Sequence, residues 1–174
     1  MSSTFSLETE RLRLRAVRTD DVEDLVRLHD DPLVAEYLGA RDREWYEWRV
    51  DASLDEWSER GYGFVVVEDA ASGRFRGRTG LKYWPEFGES ELGWVLRPEA
   101  RGRGYATEAA QALLDWGFEG FDLPYITAMI RPGNDASVAV AERLGMAPLR
   151  EDELQGDPLV VYSIDRGAWE GRSE

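Results

Sequence analysis

A glycine-rich turn between a strand pattern and a helix pattern is the strongest structural signal in this sequence. Residues 96–109 read LRPEARGRGYATEA; an apolar run over residues 92–96 leads into them, and a helix pattern continues to Phe118. Unpaired backbone N–H groups at a helix N-terminus attract anions, and glycines let an anion approach them closely. Gly102 and Gly104 therefore predict a phosphate-binding loop at the start of this helix.

Three phosphate-binding motifs compete for this loop. A P-loop needs a Gly-Lys pair, and the chain contains none. The dinucleotide fingerprint G-x-G-x-x-G could begin at Gly102 and Gly104, but its third position is Thr107. The remaining pattern is R-x-x-G-x-A, formed by Arg101, Gly104 and Ala106 between a strand and a helix. This third motif fits the sequence best.

The composition predicts a single soluble domain. The chain has 174 residues, 43% of them hydrophobic, which is enough for one domain with a substantial core. It has no cysteine, which excludes disulfides, thiolate zinc sites and a cysteine nucleophile. No apolar stretch reaches membrane-spanning length, and the first residues lack the apolar segment of a signal peptide. We therefore expect a cytoplasmic protein with no membrane partner and no metal.

The net charge narrows the classes of partner. It is −14 at pH 7, so a broad nucleic-acid-binding surface is not expected. An acidic field favours cationic ligands such as amines, although the same charge also promotes solubility. The sequence leaves the oligomeric state open between a monomer and a homodimer.

Hydrophobic periodicity and chain breakers predict the element order β-α-α-β-β-β-α-β-α-β-β. Leading antiparallel strands and one central β-α-β crossover indicate an α/β (α+β) fold with flanking helices. We expect a tail over residues 1–8 and one domain over residues 9–170, with the Asp-Pro pair at 31–32 ending the first helix. The predicted strands lie near residues 10–18, 62–68, 74–84, 89–97, 125–130, 147–154 and 159–165, and the predicted helices near residues 19–29, 42–60, 105–118 and 135–144.

Three segments of the sequence resemble a known protein family, and the resemblance extends over about residues 8–169. They read ETERLRLRAVRTDD, LGWVLRPEARGRGYATEAAQALLDWGF and RPGNDASVAVAERLGM. Together they resemble the GNAT superfamily of N-acetyltransferases, in the branch of the RimJ/RimL-like ribosomal-protein N-terminal acetyltransferases. The resemblance implies a single domain with a mixed, mostly antiparallel sheet that splays at its centre. It also implies acetyl-CoA in the splay and an amine acceptor, either a peptide N-terminus or a small molecule.

The resemblance also assigns contacts to the cofactor. In the family, the strand before the loop pairs with the pantetheine arm through backbone hydrogen bonds. The Leu96 amide is assigned to the pantetheine, and the amide of Trp94 or Val95 to the thioester carbonyl, where negative charge develops during catalysis. The amides of residues 101–106 would hold the pyrophosphate, with help from two arginine side chains. The cofactor-binding residues predicted here are Trp94, Val95, Leu96, Arg101, Gly102, Arg103, Gly104, Tyr105 and Ala106.

Asn134 and Ser137 form an N-x-x-S pattern at the start of the last predicted helix. Both are ordinary helix-capping residues, which is one sufficient explanation of the pattern. The resemblance implies that Asn134 contacts the cofactor arm and that Ser137 lies near its sulfur. Many relatives carry a tyrosine acid later in this helix, where this chain has Ala141. Ser137 is therefore the predicted catalytic acid, directly or through water.

The attacking amine must be neutral, so a general base is expected. Glu91, in ESELGW, stands where relatives often keep a carboxylate and is the predicted base. Glu89 lies two residues earlier, so it points to the same face of the strand as Glu91 unless a bulge intervenes. Glu89 is therefore the second candidate for the base. A solvated strand edge would explain both carboxylates equally well. The lone histidine, His29, is interpreted as a charge partner at the C-terminus of the first helix.

Trp45 and Trp48 share one face of the second predicted helix. The resemblance puts this helix beside the acceptor site, which would make the two rings a substrate wall. A core-packing stripe is the favoured interpretation.

Three functions remain open from the sequence. The first is an N-acetyltransferase in which the amine attacks acetyl-CoA directly in a ternary complex, with Trp94, Glu91 and Ser137 as catalytic residues. The second is a catalytically silent acyl-CoA-binding module, which the missing tyrosine favours. The third is an NADP-binding oxidoreductase, suggested by Arg131 after a predicted strand.

Overall fold

The structure contains eight strands and six α-helices within residues 4–173, the part of the chain described by this computed structural model. The strands are β1 (Ser6–Glu8), β2 (Leu12–Ala16), β3 (Phe64–Asp69), β4 (Phe75–Trp84), β5 (Glu89–Leu96), β6 (Tyr125–Ile130), β7 (Ala147–Leu154) and β8 (Asp157–Asp165). The helices are α1 (Val22–His29), α2 (Pro32–Leu38), α3 (Arg43–Arg60), α4 (Tyr105–Gly120), α5 (Asp135–Arg143) and α6 (Arg166–Glu170).

The strands form one mixed sheet in the order β1-β2-β3-β4-β5-β6-β8-β7. All neighbouring pairs are antiparallel except β5 and β6, which are parallel and joined by α4. A parallel pair requires such a crossover, because its second strand must start at the same edge as the first. The predicted fold class, with one central β-α-β unit, is confirmed.

Helices cover both faces of the sheet. On one face, Leu113 and Leu114 of α4 are fully buried in the same cluster as Leu81 and Leu92 of the two central strands. On the other face, α1 and α3 form a second cluster with Phe64 and other residues of β3. The central strands are therefore buried between two helical layers. Among residues 4–173, none of the helices has both the length and the apolar character needed to cross a membrane.

The helix α2 is absent from the sequence-based prediction. Asp31-Pro32 is expected to end the first helix, and α1 does end just before it, at His29. Asp31 is the N-cap of a new helix and accepts a hydrogen bond from the Leu33 amide at 3.2 Å, while Pro32 occupies its first turn. Proline is favoured there because the first helical N–H groups have no intrahelical partner. The same dipeptide thus ends one helix and begins the next.

Two further short elements lie outside the predicted strands and helices. Residues 6–8, placed in an N-terminal tail by the sequence, form β1 and pair with residues 13–15 of β2. The helix α6 follows β8, and Asp165 caps it by accepting from the Ala168 amide at 2.7 Å.

Candidate active site

A cleft opens where the two parallel strands of the sheet separate. Strands β5 and β6 share a single aligned pair, Glu91 with Thr127, although β5 continues to Leu96 and β6 to Ile130. Beyond that pair the strands diverge, and the opening belongs to a cleft of about 1280 Å³. Its walls come from α1–α3 on one side and α5 on the other, with the glycine loop at the start of α4. The predicted splay is therefore present.

The strand amides that face the opening follow from the hydrogen-bond pattern of β5 with β4. The Arg97 amide donates to the Arg76 carbonyl at 2.8 Å, and hydrogen-bonded positions alternate along an antiparallel pair. The Val95 amide therefore points to β4, opposite Arg78. The amides of Trp94 and Leu96 point the other way, towards the strand that has moved apart. This favours Trp94 over Val95 as the donor to a thioester.

The glycine loop presents a run of free amides at the N-terminus of α4. Gly102 and Gly104 adopt φ values of 71° and 79°, in the left-handed region that favours glycine, and Gly104 is the N-cap. Within residues 4–173, the amides of residues 102–107 have no backbone acceptor. The Arg101 amide is already used, because it donates to the Pro98 carbonyl at 3.2 Å. The free run thus starts one residue later than the sequence predicted.

The two loop arginines differ in their contacts. Arg101 forms an ion pair with Asp31, the N-cap of α2, and donates to the Leu96 carbonyl at 3.1 Å. Its guanidinium therefore ties the loop to α2 rather than extending freely towards an anion. Arg103 is exposed and makes no ion pair with any residue of the described range. Of the two side chains predicted to contact phosphate, only that of Arg103 is uncommitted.

A hydroxyl beside the loop has no partner in the protein. The Thr107 Oγ1 atom lies in the first turn of α4 and is buried. It neither donates nor accepts a hydrogen bond within the described chain. Thr107 lines the cleft together with Tyr105 and Ala106. A buried hydroxyl without a partner is costly, so its place beside free amides indicates a polar ligand at this position. In the sequence, Thr107 is informative only as the residue that breaks the dinucleotide motif.

Glu91 lies at the apex of the cleft, where β5 and β6 begin to separate. Its carboxylate accepts a hydrogen bond from the Trp84 indole N–H. Burial raises the pKa of Glu91 above its ordinary value, against the opposing effects of Trp84, Lys82 and Arg78. A carboxyl group with a raised pKa is a stronger base once it is ionised, which suits proton transfer near neutral pH.

Glu89 is placed differently, although it belongs to the same strand. It is 6% exposed and forms a bidentate ion pair with Arg150 at 2.7 and 3.0 Å. It also accepts from the Tyr125 hydroxyl at 3.2 Å, and it lines a smaller pocket outside the main cleft. Both of its oxygens are committed to β6 and β7, so Glu89 is a structural link between strands.

The start of α5 forms the opposite wall of the cleft. Asn134 is the N-cap and accepts from the Ser137 amide at 3.3 Å, which is the ordinary capping role. Both residues line the cleft, and the Ser137 hydroxyl forms no hydrogen bond with the rest of the described chain. Ala141 is fully buried in the core and is not part of the cleft lining. Ser137 is therefore the hydroxyl that α5 presents to the cleft.

Helices α1 and α3 meet above the cleft through a buried histidine. His29 Nε2 bonds to the Gly39 carbonyl, which can only accept, so Nδ1 accepts from the Tyr46 hydroxyl at 2.8 Å. Burial lowers the pKa of His29 below its ordinary value, so the ring is neutral at pH 7. The prediction of a charged helix partner is wrong, because the ring is desolvated and bonded on both nitrogens.

The two tryptophans predicted to share a face of α3 differ in their surroundings. Trp45 lines the cleft and packs edge-on against Tyr46 at 5.0 Å between ring centroids. Trp48 is 60% exposed and contacts Trp45 at 6.1 Å. The favoured interpretation, a core-packing stripe, is wrong for Trp48, because spacing defines a shared helix face but not what covers that face.

Basic side chains of the cleft wall are functional candidates that were not predicted from the sequence. Arg78 and Lys82 of β4, Arg49 of α3 and Arg41 before α3 all line it. Arg78 and Lys82 alternate with Gly80 in RTGLK, and this period of two is the signal that could have identified them. Within residues 4–173, no group of three or more His, Cys, Asp or Glu side chains could hold a metal ion.

Comparison with known proteins identifies one family. The model of the acetyltransferase (GNAT) domain matches residues 11–147. The chain is 34% identical to YkkB of Bacillus subtilis (strain 168), over 93% of this chain and 96% of that protein. A solved acetyltransferase from Agrobacterium tumefaciens str. C58 is 34% identical with a TM-score of 0.83, covering 95% of this chain and 97% of that one.

A more distant neighbour contains coenzyme A. It is RimL, the ribosomal L7/L12 α-N-protein acetyltransferase, solved in complex with coenzyme A. The TM-score is 0.79 at 20% identity, and the alignment covers 94% of this chain and 99% of that chain. At this identity the comparison shows a shared fold.

Proposed function

The chain belongs to the GNAT acetyltransferase family, and from that premise we propose that it transfers an acetyl group from acetyl-CoA to a primary amine, which attacks directly in a ternary complex. One observation carries the proposal. The separation of β5 and β6 brings free strand amides, a loop of free amides and a half-buried carboxyl group to a single cleft. Each of these matches a part of acetyl-CoA or a step of the transfer.

The residues of the cleft fit the co-substrate in size and chemistry. The amides of residues 102–106, the Thr107 hydroxyl and the Arg103 side chain would bind the pyrophosphate, because each is a donor without a partner in the described chain. The Leu96 amide would pair with the pantetheine arm as a strand would. Asn134, on the opposite wall, would contact the same arm from α5.

Three residues would share the chemistry. The Glu91 carboxylate takes the proton from the attacking amine, directly or through water, and its raised pKa supports that role. The Trp94 amide donates to the thioester oxygen as negative charge develops there, and one such preorganised donor contributes about 3 kcal/mol. The Ser137 hydroxyl returns a proton to the departing sulfur. Because the sulfur leaves readily as a thiolate, a weak acid is sufficient.

The acceptor site would lie under α1–α3. Trp45 and Tyr37 line this side of the cleft, and the exposed Trp48 adjoins Trp45 at its rim. An open aromatic rim favours a chain that extends out of the cleft, such as a protein N-terminus. The name of the RimL neighbour suggests the same class of acceptor. A small amine is the second candidate.

A catalytically silent acyl-CoA-binding module is the alternative function. It is favoured by Ala141, which leaves α5 without a tyrosine acid. The methyl side chain of Ala141 cannot donate a proton, and it is buried in the core. The two functions differ in one measurable respect, since only the enzyme releases free coenzyme A when an amine is supplied.

Thermal unfolding and thiol release together test the proposal. Acetyl-CoA at about 100 times its Kd should stabilise the protein by about 2.7 kcal/mol, whereas NADP should leave the melting temperature unchanged. A panel of aminoacyl peptides, polyamines and aminoglycosides should then reveal an acceptor through free thiol and product mass. Stabilisation without thiol release from any acceptor would indicate the silent module. Stabilisation by NADP alone would contradict both functions.

Several expectations from the sequence stay predictions. These are the cytoplasmic location, the absence of nucleic-acid and membrane partners, and the choice between monomer and homodimer. The boundaries of the domain at residues 9–170 are also a prediction.

A further inference from the structure

The acceptor side of the cleft is basic, although the protein as a whole is strongly acidic. The net charge of the chain is −14. Four basic side chains nevertheless line this side, namely Arg41, Arg49, Arg78 and Lys82, and Lys82 is the only lysine of the sequence. Glu91 is the carboxyl group that lines the cleft beside them. A random distribution of charge on such a protein would give the opposite sign.

These basic side chains differ in how they are compensated. Arg49 is 2% exposed and pairs with Glu56 at 3.0 Å. In the described part of the chain, Arg41, Arg78 and Lys82 form no ion pair. Arg41 lies over the Trp45 ring at the exposed rim, and Lys82 lies over the Trp84 ring at 3.6 Å. Arg78 and Lys82 both act electrostatically on Glu91, so this one carboxyl group offsets part of their charge. The remaining positive charge belongs to the cleft and not to the ion-pair network of the fold.

Arg78 is the most constrained of the three. Its guanidinium lies over the Phe64 ring, 4.6 Å from the centroid, and Arg49 lies over the same ring at 4.1 Å. Its Nε atom is buried and has no hydrogen-bond partner in the described chain. A partly buried guanidinium with an unused donor and no carboxylate is unfavourable unless a ligand supplies the missing acceptor. Arg78 thus marks a position for an anion.

Glycines form the middle of the floor between Arg78 and Lys82. Along β4, Arg78, Gly80 and Lys82 point to the same face, and Gly80 is paired with Gly93 of β5. A Cβ atom added at Gly93 would meet nothing within 4 Å, so the space above it is open. The open space therefore lies over Gly93 on the β5 side, because a Cβ atom added at Gly80 would meet the Gly63 carbonyl oxygen at 2.4 Å. It is bounded by Val95, which is paired with Arg78, and by Glu91, which is paired with Lys82. On an extended strand the Cα atoms of Arg78 and Lys82 are about 13 Å apart. The Arg78 guanidinium shortens this span, because it lies over Phe64, which is paired with Gly80 between the two residues.

We infer that the acceptor of this enzyme carries an anionic group, a carboxylate or a phosphate, which the Arg78 guanidinium binds while the amine lies at Glu91. The inference rests on the proposed function and adds a substrate class to it. An acidic residue close to the N-terminus of a peptide meets the requirement, as does a small amine with a distal carboxylate or phosphate. Charge-assisted hydrogen bonds to a guanidinium are about twice as strong as neutral ones.

Coenzyme A does not account for this charge. Its pyrophosphate is assigned to the free amides at the N-terminus of α4, and the glycine loop has its own arginine in Arg103. Arg78 belongs to the face of β4 that packs under α1 and α3, where its ring contact, Phe64, is part of their buried cluster. The basic wall adds a requirement that net charge did not indicate, because an acidic field favours cationic ligands such as amines and says nothing of an anionic group on the same acceptor.

Matched acceptors that differ only in charge test the inference. We would measure kcat/KM at saturating acetyl-CoA for the dipeptide amides Ala-Glu and Ala-Gln, for γ-aminobutyrate and its amide, and for phosphoethanolamine and ethanolamine. The anionic member of at least one pair should be preferred about tenfold or more, which corresponds to about 1.4 kcal/mol. The pair that shows the preference distinguishes a peptide carboxylate, a small carboxylate and a phosphate.

Substitution of Arg78 separates binding from chemistry. Arg78→Met keeps an apolar stem over Phe64 and removes the charge, so KM for the anionic acceptor should rise about tenfold while KM for its neutral partner stays within about threefold. Both are measured at alkaline pH, because Arg78 also lowers the pKa of Glu91 and its loss shifts the pH at which the base ionises. Arg60→Met is the matched control, because Arg60 also lies over an aromatic ring, Tyr83 at 3.8 Å, but outside the main cleft. This control should keep the wild-type preference. Equal kcat/KM for all pairs in the wild type would overturn the inference.

A binding measurement keeps the inference separate from the proposed function. The same acceptor pairs are added to the protein saturated with coenzyme A, and thermal stabilisation is recorded. Greater stabilisation by an anionic member, lost in Arg78→Met, supports the anion site even if no acceptor is acetylated. Absence of acetylation would then count against the proposed function alone. Equal or zero stabilisation by both members of every pair would overturn the anion site.

Discussion

The chemistry at the residue scale depends on how burial and hydrogen bonding balance at Glu91. Burial raises the pKa of its carboxyl group, and the indole N–H of Trp84 acts in the opposite direction because it stabilises the carboxylate. The base must be ionised to accept a proton. Activity should therefore be lost as the pH falls through the raised pKa, at a higher pH than an ordinary glutamate would give.

Replacing Trp84, the indole donor to Glu91, should move the acidic limb of the pH–rate profile, which is the range in which activity is lost as the pH falls. Trp84→Phe keeps a ring beneath Lys82 but removes the N–H, so the pKa of Glu91 should rise further and the limb should shift to higher pH. The rate well above the new pKa should be unchanged. The measurement is the pH profile of the rate at saturating acetyl-CoA.

A matched control for this variant exists in α6. The indole N–H of Trp169 donates to the Asp115 carboxylate at 2.7 Å, and neither residue lines the cleft. Trp169→Phe removes the same kind of bond and should leave the pH profile in place. An unmoved limb in Trp84→Phe, or an equal shift in both variants, would show that this hydrogen bond does not tune the base.

At the scale of elements, the glycine loop and α4 form the phosphate site. Gly104 has a φ of 79° and caps the helix, so a side chain there strains the backbone by about 1–3 kcal/mol as well as obstructing the free amides. Gly104→Val should therefore lower both the melting temperature and the affinity for acetyl-CoA, the latter by well over tenfold. Calorimetric titration with acetyl-CoA measures the second effect.

Gly73 provides the control for the backbone strain. It lies in the β3–β4 turn with a φ of 70°, outside the cleft lining. Gly73→Val should be destabilised to a similar degree but should bind acetyl-CoA with wild-type affinity. If Gly104→Val also retained wild-type affinity, the loop would be a turn without a phosphate-binding role.

Some elements of this fold could be predicted from the sequence and others could not. The strand–loop–helix unit was predictable because its apolar periods, its glycines and its helix pattern all indicate one structure. The helix α2 was not, because Asp-Pro is compatible with both the end and the start of a helix. Whether a second helix follows the first therefore cannot be read from the dipeptide; in the structure its N-cap, Asp31, forms an ion pair with Arg101 of the glycine loop.

At the scale of the whole molecule, the fold and the family could be predicted, whereas the partners of individual side chains could not. Glu89 and Glu91 have the same residue type and the same strand face. The first is committed to Arg150 on a strand distant in the sequence, and the second is left at the cleft. Periodicity assigns a face, but long-range ion pairs decide which group remains available. The basic cleft wall was hidden for the same reason, since net charge describes the whole surface and not one cleft.

The rate of acetyl transfer by Glu91→Gln, measured from neutral to alkaline pH, tests the central claim most directly. The substitution keeps the shape of the side chain and removes its basicity, so the affinity for acetyl-CoA should stay within about threefold of the wild type. Turnover at pH 7 should fall by about 10²-fold, and the deficit should narrow at high pH, where more of the amine is already deprotonated. Wild-type turnover of Glu91→Gln at pH 7 would contradict the claim that this carboxylate is the general base.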